Sequence, residues 1–328
     1  MVVSIYGGSA ILPFKNPIVS LKRPKGKRYV DLKGWRELGE IIKNFKPDII
    51  QANAADTLKY AVFSKMVFKW NVPIVYRNAS ASSFYIQNTF SRFFNYILLR
   101  NIDSIISVSE SSKKDLNHLF PFTASKTWVI PVGIENEDRI NSLENKFDKR
   151  SFNIIHAGSF TREKNHHGLL DIFKAVLKMN QHCVLHLLGD GDLKGEIETR
   201  IANENLDNKI FLHGGVKNPL AYIREADVLV LPSIIEGLPG VLLEAMYCKT
   251  PVIAYNVGGV GEIVMNGTGI LVEEGNIEAF AKAIYQISED PDFQKVENAY
   301  KMVMEKYVNS TLADMFYEKY LLTIESRV

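Results

Sequence analysis

Short β-branched runs alternate with helical patterns along almost the whole chain, and this alternation narrows the possible folds more than any other feature. "PDIIQAN", "VPIVYRN", "DSIISVS" and "KTWVIPVG" read as strands, with helices over "WRELGEIIKNF", "TLKYAVFSKMVFKW" and "RFFNYILLRN". The pattern lapses over residues 136–150, "NEDRINSLENKFDKR", where Ile140, Leu143 and Phe147 are the only large apolar residues. It then restarts with the strands "SFNIIHAG", "CVLHLLGDG", "KIFLHGG", "ADVLVLPS" and "PVIAYNVGG". Helices fit "NHHGLLDIFKAVLKM", "LKGEIETRIANEN", "NPLAYIREA" and "GVLLEAMYC", and the last fifty residues are helical by period. Such spacing predicts βαβ units and parallel sheets.

The expectation is an α/β protein with two Rossmann-like, doubly wound domains facing a central cleft. Residues 1–148 form the first and 149–308 the second, with a C-terminal helix at about 309–328 packing back on the first. A length of 328 residues suits two such domains. With 39 basic and 37 acidic residues, the net charge of +2 predicts no nucleic-acid partner. Cys183 and Cys248 stand alone in apolar surroundings, so a reducing cytoplasm is expected rather than a disulfide framework. No apolar run reaches the roughly 18 residues of a membrane span. The opening "VVSIY" lacks the basic start and long apolar centre of a signal peptide.

Most strands of the second half end in Gly, Ser or Asn, residues that let a ligand approach the backbone. In open α/β sheets ligands bind at the carboxyl ends of the strands. Beyond the end of "ADVLVLPS" lies Glu236, followed by Gly237, Leu238 and Pro239. Proline suits the first turn of a helix, where a missing N–H costs nothing. The amides of Leu238, Gly240 and Val241 are then donors without intrahelical partners. Glu244 falls about one turn into the same helix. Carboxylates accept from vicinal hydroxyls and unpaired amides favour anions, a combination that suits a sugar joined to phosphate. The competing reading makes both acids ordinary solvated residues.

"LPSIIEGLPGVLLEAMYCKTPVIAYNVGGVGEIV" resembles the signature segment of nucleotide-sugar-dependent glycosyltransferases of family four, which have the GT-B fold. Nearly every position of that pattern is present, with Lys249 where the family usually has Gly. The resemblance implies that Glu236 contacts the donor-sugar hydroxyls and that Glu244 binds the nucleotide ribose. It further implies a retaining transfer from a UDP- or GDP-sugar to a glycan or lipid-linked acceptor, with no cofactor and no bound metal.

"HAGSFTREKNHHGLL" is similar to the family's diphosphate-binding segment. Gly158 frees the strand end and Lys164 matches the phosphate-binding Lys, but Ser159 stands where the family has Arg. Arg162 is the candidate replacement; a solvated loop Arg is the alternative. In "LLGDGDLKG", Gly189 and Gly191 resemble a family turn, and Asp190 and Asp192 read as turn and helix-cap residues rather than metal ligands. Gly215 and Val216 of "IFLHGGV" match the segment that meets the nucleotide base, although a plain turn would look the same. Glu262 is a helix cap or a donor contact. His166 and His167 are adjacent, so they point apart on a helix, which argues against joint metal ligation.

The first half carries weaker signals. "VVSIYGGSA" is either the family's first strand with its Gly7-Gly8 loop or a later strand in a shortened domain, and the short "NPIVSLKRPKGKRYV" favours the second. Arg77 and Asn78 stand where many members have a His; neither serves as a general base at neutral pH. Asp56 is a weak acceptor-side candidate. "SSFYIQNTFSRFFNYILLRN", with Arg92 and Arg100, and the basic Lys22–Arg28 stretch suit an anionic bilayer or a polyprenyl-linked acceptor. A core-facing helix and a solvated loop are the competing, preferred reading. Two rivals to a transferase remain: a degenerate binding subunit, suggested by Ser159 and the missing His, and a nucleotide-sugar epimerase, which needs acid/base groups not found here.

Overall fold

The structure, a computed structural model, describes residues 1–6, 16–27, 29–136 and 147–327. Gly7, Gly8, Arg28 and most of the charged stretch at 136–150 therefore lie outside the described residues. The chain divides into two compact units, one of Met1–Ile130 with Met315–Val328, the other Pro131–Asp314.

In the first unit, strands β1 (Val2–Ser4) and β2 (Ile18–Ser20) pair in parallel. Helix α1 (Leu32–Phe45) then leads to β3 (Ile50–Asn53), α2 (Ala55–Phe68), β4 (Ile74–Asn78), α3 (Ser82–Tyr85) and α4 (Thr89–Arg100). Strand β5 (Ser104–Ser107), α5 (Glu110–Leu119) and β6 (Thr127–Val129) complete a parallel sheet of order β3-β4-β5-β6. Among the described residues the β1–β2 pair is not hydrogen-bonded to that sheet. Instead an apolar cavity of about 350 Å³, lined by Val2, Val3, Ile5, Ile42, Ile50 and Ala52 among others, separates β1 from the open edge of β3. A strand has two edges, and among the described residues each of these two strands bonds along one only.

Asp31 fixes how α1 starts. It caps the helix through the Gly34 amide and takes two hydrogen bonds from Arg23 and one from Tyr60. Burial alone would raise its carboxyl, but these donors bring it down to about 2. Arg23, part of the basic stretch, is therefore engaged within the unit rather than presented to a surface.

The second unit begins with β7 (Phe152–Ala157), α6 (His166–Met179), β8 (Cys183–Leu188), α7 (Lys194–Asn203) and β9 (Ile210–Gly214). It continues through α8 (Pro219–Glu225), β10 (Val228–Leu231), α9 (Gly240–Tyr247), β11 (Val252–Tyr255), α10 (Val260–Ile263) and β12 (Ile270–Val272). Helices α11 (Ile277–Glu289) and α12 (Phe293–Lys306) follow. The six strands are parallel in the order β12-β11-β10-β7-β8-β9. Strand order reverses between β7 and β10, so a doubly wound sheet has its topological switch point there. The core packs Leu169, Phe173 and Val176 of α6 and Phe280 and Ile284 of α11 against one face of the sheet. Asn165, held left-handed at φ 54°, caps α6 through the Gly168 amide.

The terminal helix α13 (Asn309–Glu325) is shared between the units: its first residues count with the second, Met315 onward with the first. In the first unit Tyr320 donates to Gln51, and Arg327 bonds Asp103 and Asn71. The expected strands are present; β2, α3, α5, α10 and β12 were not expected from the sequence, being short or polar.

Candidate functional site

The loops after β7 and β10 meet at the switch point. The Ile234 amide donates to the Glu163 carbonyl at 2.9 Å, and the Asn165 side chain donates to the Pro232 carbonyl at 3.0 Å. This stitching brings Lys164 Nζ to 2.6 Å from Glu236 Oε1. The two residues expected to act on phosphate and sugar thus form one ion pair in a partly buried setting. The Glu236 side chain is 9% exposed and that of Lys164 23%. The second Glu236 oxygen has no partner among the described residues.

Two glycines make this arrangement possible. Gly258, after β11, has φ +54°, and a Cβ there would lie 1.9 Å from the Glu236 carbonyl oxygen. The Gly259 amide also donates to the Gly237 carbonyl, so the Glu236 loop rests on the β11 loop. Gly189, at φ +137°, lets the β8 end close on the β7 end: a Cβ there would lie 2.0 Å from the Gly158 carbonyl oxygen. Gly191 sits beside Phe160, whose amide donates to the Asp190 carbonyl. Any side chain at these points displaces backbone.

Pro239 is the N-cap of α9, and Gly240 is its first residue. No described group accepts from the amides of Leu238, Gly240 or Val241. These donors and the positive end of the helix favour an anion nearby. Glu244, one turn into the helix, is half-buried among Leu242, Leu243, Ala245 and Met246 on an otherwise apolar helix. Burial raises its carboxyl above the ordinary range.

The remaining expected residues are more dispersed. Ser159 and Arg162 are exposed, and the Arg162 side chain has no ion pair among the described residues. Gly215 and Val216 follow the end of β9. Asp190 and Asp192 are exposed, and the α7 cap is Leu193 rather than Asp192 as the sequence suggested. No cluster of His, Cys, Asp and Glu able to hold a metal occurs among the described residues.

In the first unit, Asp56 accepts from Lys59 at 2.8 Å and from Tyr6 at 3.1 Å. Arg77 is buried, donates to the Ile130 carbonyl and lies over the Phe316 ring; burial takes its pKa down to about 10. Asn78 is 1% exposed and bonds Ser107, Ser112 and Ser82. Arg77 and Asn78 therefore brace the sheet and the terminal helix, a role that a position-by-position match does not reveal.

The sequence reading missed a buried histidine pair beside Lys164. His156 and His166 are 0% and 1% exposed, with ring centroids 4.9 Å apart. His156 Nδ1 bonds the Val230 carbonyl, while its Nε2 and both His166 nitrogens have no partner among the described residues. Burial lowers His156 to about 4 and His166 to about 3, so both rings are neutral at pH 7. Ser233 Oγ is likewise buried without a partner. His167 points elsewhere, to Glu196 at 2.9 Å, as the sequence reading expected of adjacent helical residues. A cavity of about 430 Å³ in the second unit is lined by Thr250, Val252, Ile270 and Asp292. It sits at the amino ends of β11 and β12, away from these groups.

Residues 138–302, half of the chain, match the family described as glycosyl transferases group 1, and residues 8–138 match glycosyltransferase family 4. An uncharacterized glycosyltransferase of Methanocaldococcus jannaschii is 28% identical over 245 residues, covering 68% of this chain and 59% of that protein. An N-acetylgalactosaminyltransferase of Campylobacter jejuni, named for a diphospho-undecaprenol-linked acceptor, is 28% identical over 228 residues, covering 67% of this chain and 60% of its own. The chain thus spans about three fifths of these relatives' length. Anabaena HepE, solved with UDP and glucose, superposes with a TM-score of 0.77 at 18% identity, over 92% of this chain and 84% of that one. That likeness places the two parallel α/β units in the GT-B fold.

Proposed function

Because the chain belongs to the glycosyl transferases group 1 family, we propose that it moves a sugar from a nucleoside diphosphate, UDP or GDP, to a glycan or lipid-linked acceptor. The product would be a cell-surface polysaccharide or glycolipid. The observation that carries this reading is the Lys164–Glu236 pair at the switch point, beside three amides without acceptors. Lys164 and those amides stabilise the departing diphosphate, the place where negative charge grows during the reaction. Glu236 orients the sugar, and Glu244 accepts from the ribose hydroxyls. Transfer proceeds with retention, the leaving diphosphate oxygen taking the acceptor proton, and needs neither cofactor nor metal. Arg162 reaches the phosphates as the second cation in place of the family's Arg.

The HepE complex with UDP and glucose supports a UDP donor, and the Campylobacter relative supports a polyprenyl-linked acceptor. A specific observation also favours contact with the inner face of a membrane. Helix α4 exposes Phe90 and Phe93 at 78% and 63%, while its Phe94, Leu98 and Leu99 pack on the core. Arg92 lies between them in sequence. No helix among the described residues is long and apolar enough to cross a bilayer. Both cysteines are buried and unpaired, which suits a reducing compartment.

The test is a thermal-shift and hydrolysis screen against the common nucleotide sugars. One donor raising the melting temperature and being slowly hydrolysed supports the transferase. Stabilisation without turnover on any acceptor favours a binding subunit, and no stabilisation by any donor overturns the donor-site reading. Flotation with phosphatidylglycerol vesicles tests the membrane contact; a Phe90→Ser/Phe93→Ser variant should remain in the bottom fraction.

A further inference from the structure

A buried acceptor without a partner costs about 1–3 kcal/mol. His156 Nε2 is such an acceptor. Its ring is held in one tautomer, since the Val230 carbonyl at 2.9 Å can only accept and so puts the hydrogen on Nδ1. Nε2 is left with a bare lone pair inside the protein. The direction of that lone pair is informative. A Cβ built on Gly158 would lie 3.3 Å from His156 Nε2 and 3.3 Å from Lys164 Cδ. The imidazole nitrogen and the lysine stem therefore face the same small space over Gly158, and a side chain at 158 would fill it. His166, stacked on Phe160 at 4.0 Å, is set edge-on to His156.

Among the described residues Lys164 Nζ gives one hydrogen bond, to Glu236. An ammonium has three hydrogens and four rotatable bonds behind it. A diphosphate and a sugar compete for both members of that pair, because the phosphate attracts the ammonium and the sugar hydroxyls need the carboxylate.

We propose that His156 is a positioning residue for Lys164: when the donor arrives, the ammonium leaves Glu236 and hydrogen-bonds both the diphosphate and His156 Nε2. The neutral imidazole fixes where the ammonium stands without adding a charge that would repel it. Glu236 is released to the sugar in the same movement. This inference rests on the donor-site reading above.

The experiment is calorimetric titration with UDP, with GDP in parallel and uridine as a control, using wild type, His156→Phe, His156→Gln, Lys164→Met and the His156→Phe/Lys164→Met double variant. Melting temperatures establish that each is folded. His156→Phe should weaken UDP about tenfold and leave uridine unchanged. His156→Gln, which restores an acceptor, should return to within about twofold of wild type. The double variant should bind UDP no more weakly than Lys164→Met alone, because the histidine acts through the lysine. Additive losses, equal losses for UDP and uridine, or no loss in His156→Phe overturn the positioning role while leaving the donor site standing. Should wild type bind neither UDP nor GDP, the donor-site reading fails and this inference fails with it.

Discussion

Replacing Glu236 by Gln should make the protein bind UDP more tightly and turn over its donor more slowly. At the observed 2.6 Å, the gross attraction between Lys164 and Glu236 is about 6 kcal/mol for an effective dielectric near 20. Desolvation and the ordering of two long side chains take back most of it, leaving about 1–2 kcal/mol for a pair this far from solvent. Glu236 thus competes with the diphosphate for the ammonium. Glu236→Gln removes the competitor, and UDP affinity should rise about fivefold. The same change weakens the grip on the sugar, and kcat should fall about 100-fold. Lys164→Met acts in the opposite sense on UDP, with a loss of tenfold or more. The two variants should also differ in stability. Lys164→Met strands a carboxylate that is 9% exposed, at a cost of about 2–3 kcal/mol, whereas Glu236→Gln leaves an ammonium that is 23% exposed and costs about 1 kcal/mol. Titration with UDP, initial rates with the active donor and urea denaturation measure all three quantities. If Glu236→Gln weakens UDP as Lys164→Met does, the ion pair is not a competing state and the reasoning is wrong.

Gly258→Ala should cost at least about 3 kcal/mol in urea denaturation and abolish donor binding, since its Cβ would meet the Glu236 carbonyl at 1.9 Å. Glu244 has its carboxyl raised by burial, so its contribution to stability is fully present below the unfolded carboxylate value and is lost as pH rises through the folded one. Glu244→Gln should therefore stabilise the empty protein at pH 7–8, by about 1 kcal/mol or less, while weakening uridine about tenfold; a lower melting temperature would refute this. His156, His166 and His186 are depressed by burial to about 4, 3 and 3, so the stability they contribute is present above about pH 6.5 and lost as pH falls toward those values. Near pH 5, unfolding should take up about three protons through them, a slope of about 4 kcal/mol per pH unit in denaturation measured against pH.

The parallel α/β architecture was legible because buried strands and amphipathic helices leave different periods in a sequence, and most of these elements are long enough to show one. Elements such as α5, "ESSKKDLNHL", were not, because a polar helix lying on a surface leaves little apolar signal. Glu236, Lys164 and Glu244 could be named in advance because they sit in an ordered motif at fixed distances from a strand end. Arg77 and Asn78 could not be judged in that way. Whether a polar residue at a strand end faces a ligand or a neighbouring carbonyl depends on what packs above it, here Ile130, Phe316 and the serines around Asn78.

The order of residues by itself determined the two α/β halves, the motif after "ADVLVLPS" and the glycines that permit close backbone approach. All of these are local, set by periodicity and by the conformations each residue tolerates. Tertiary structure alone decided that Lys164 and Glu236 meet, because an αβαβαβ run from α6 to β10 separates them and only the reversal of strand order between β7 and β10 joins their loops. It also decided that His156 keeps a bare nitrogen beside them. A histidine's tautomer and burial depend on a carbonyl of the neighbouring strand, Val230, whose position follows from the register of the sheet rather than from any spacing along the chain.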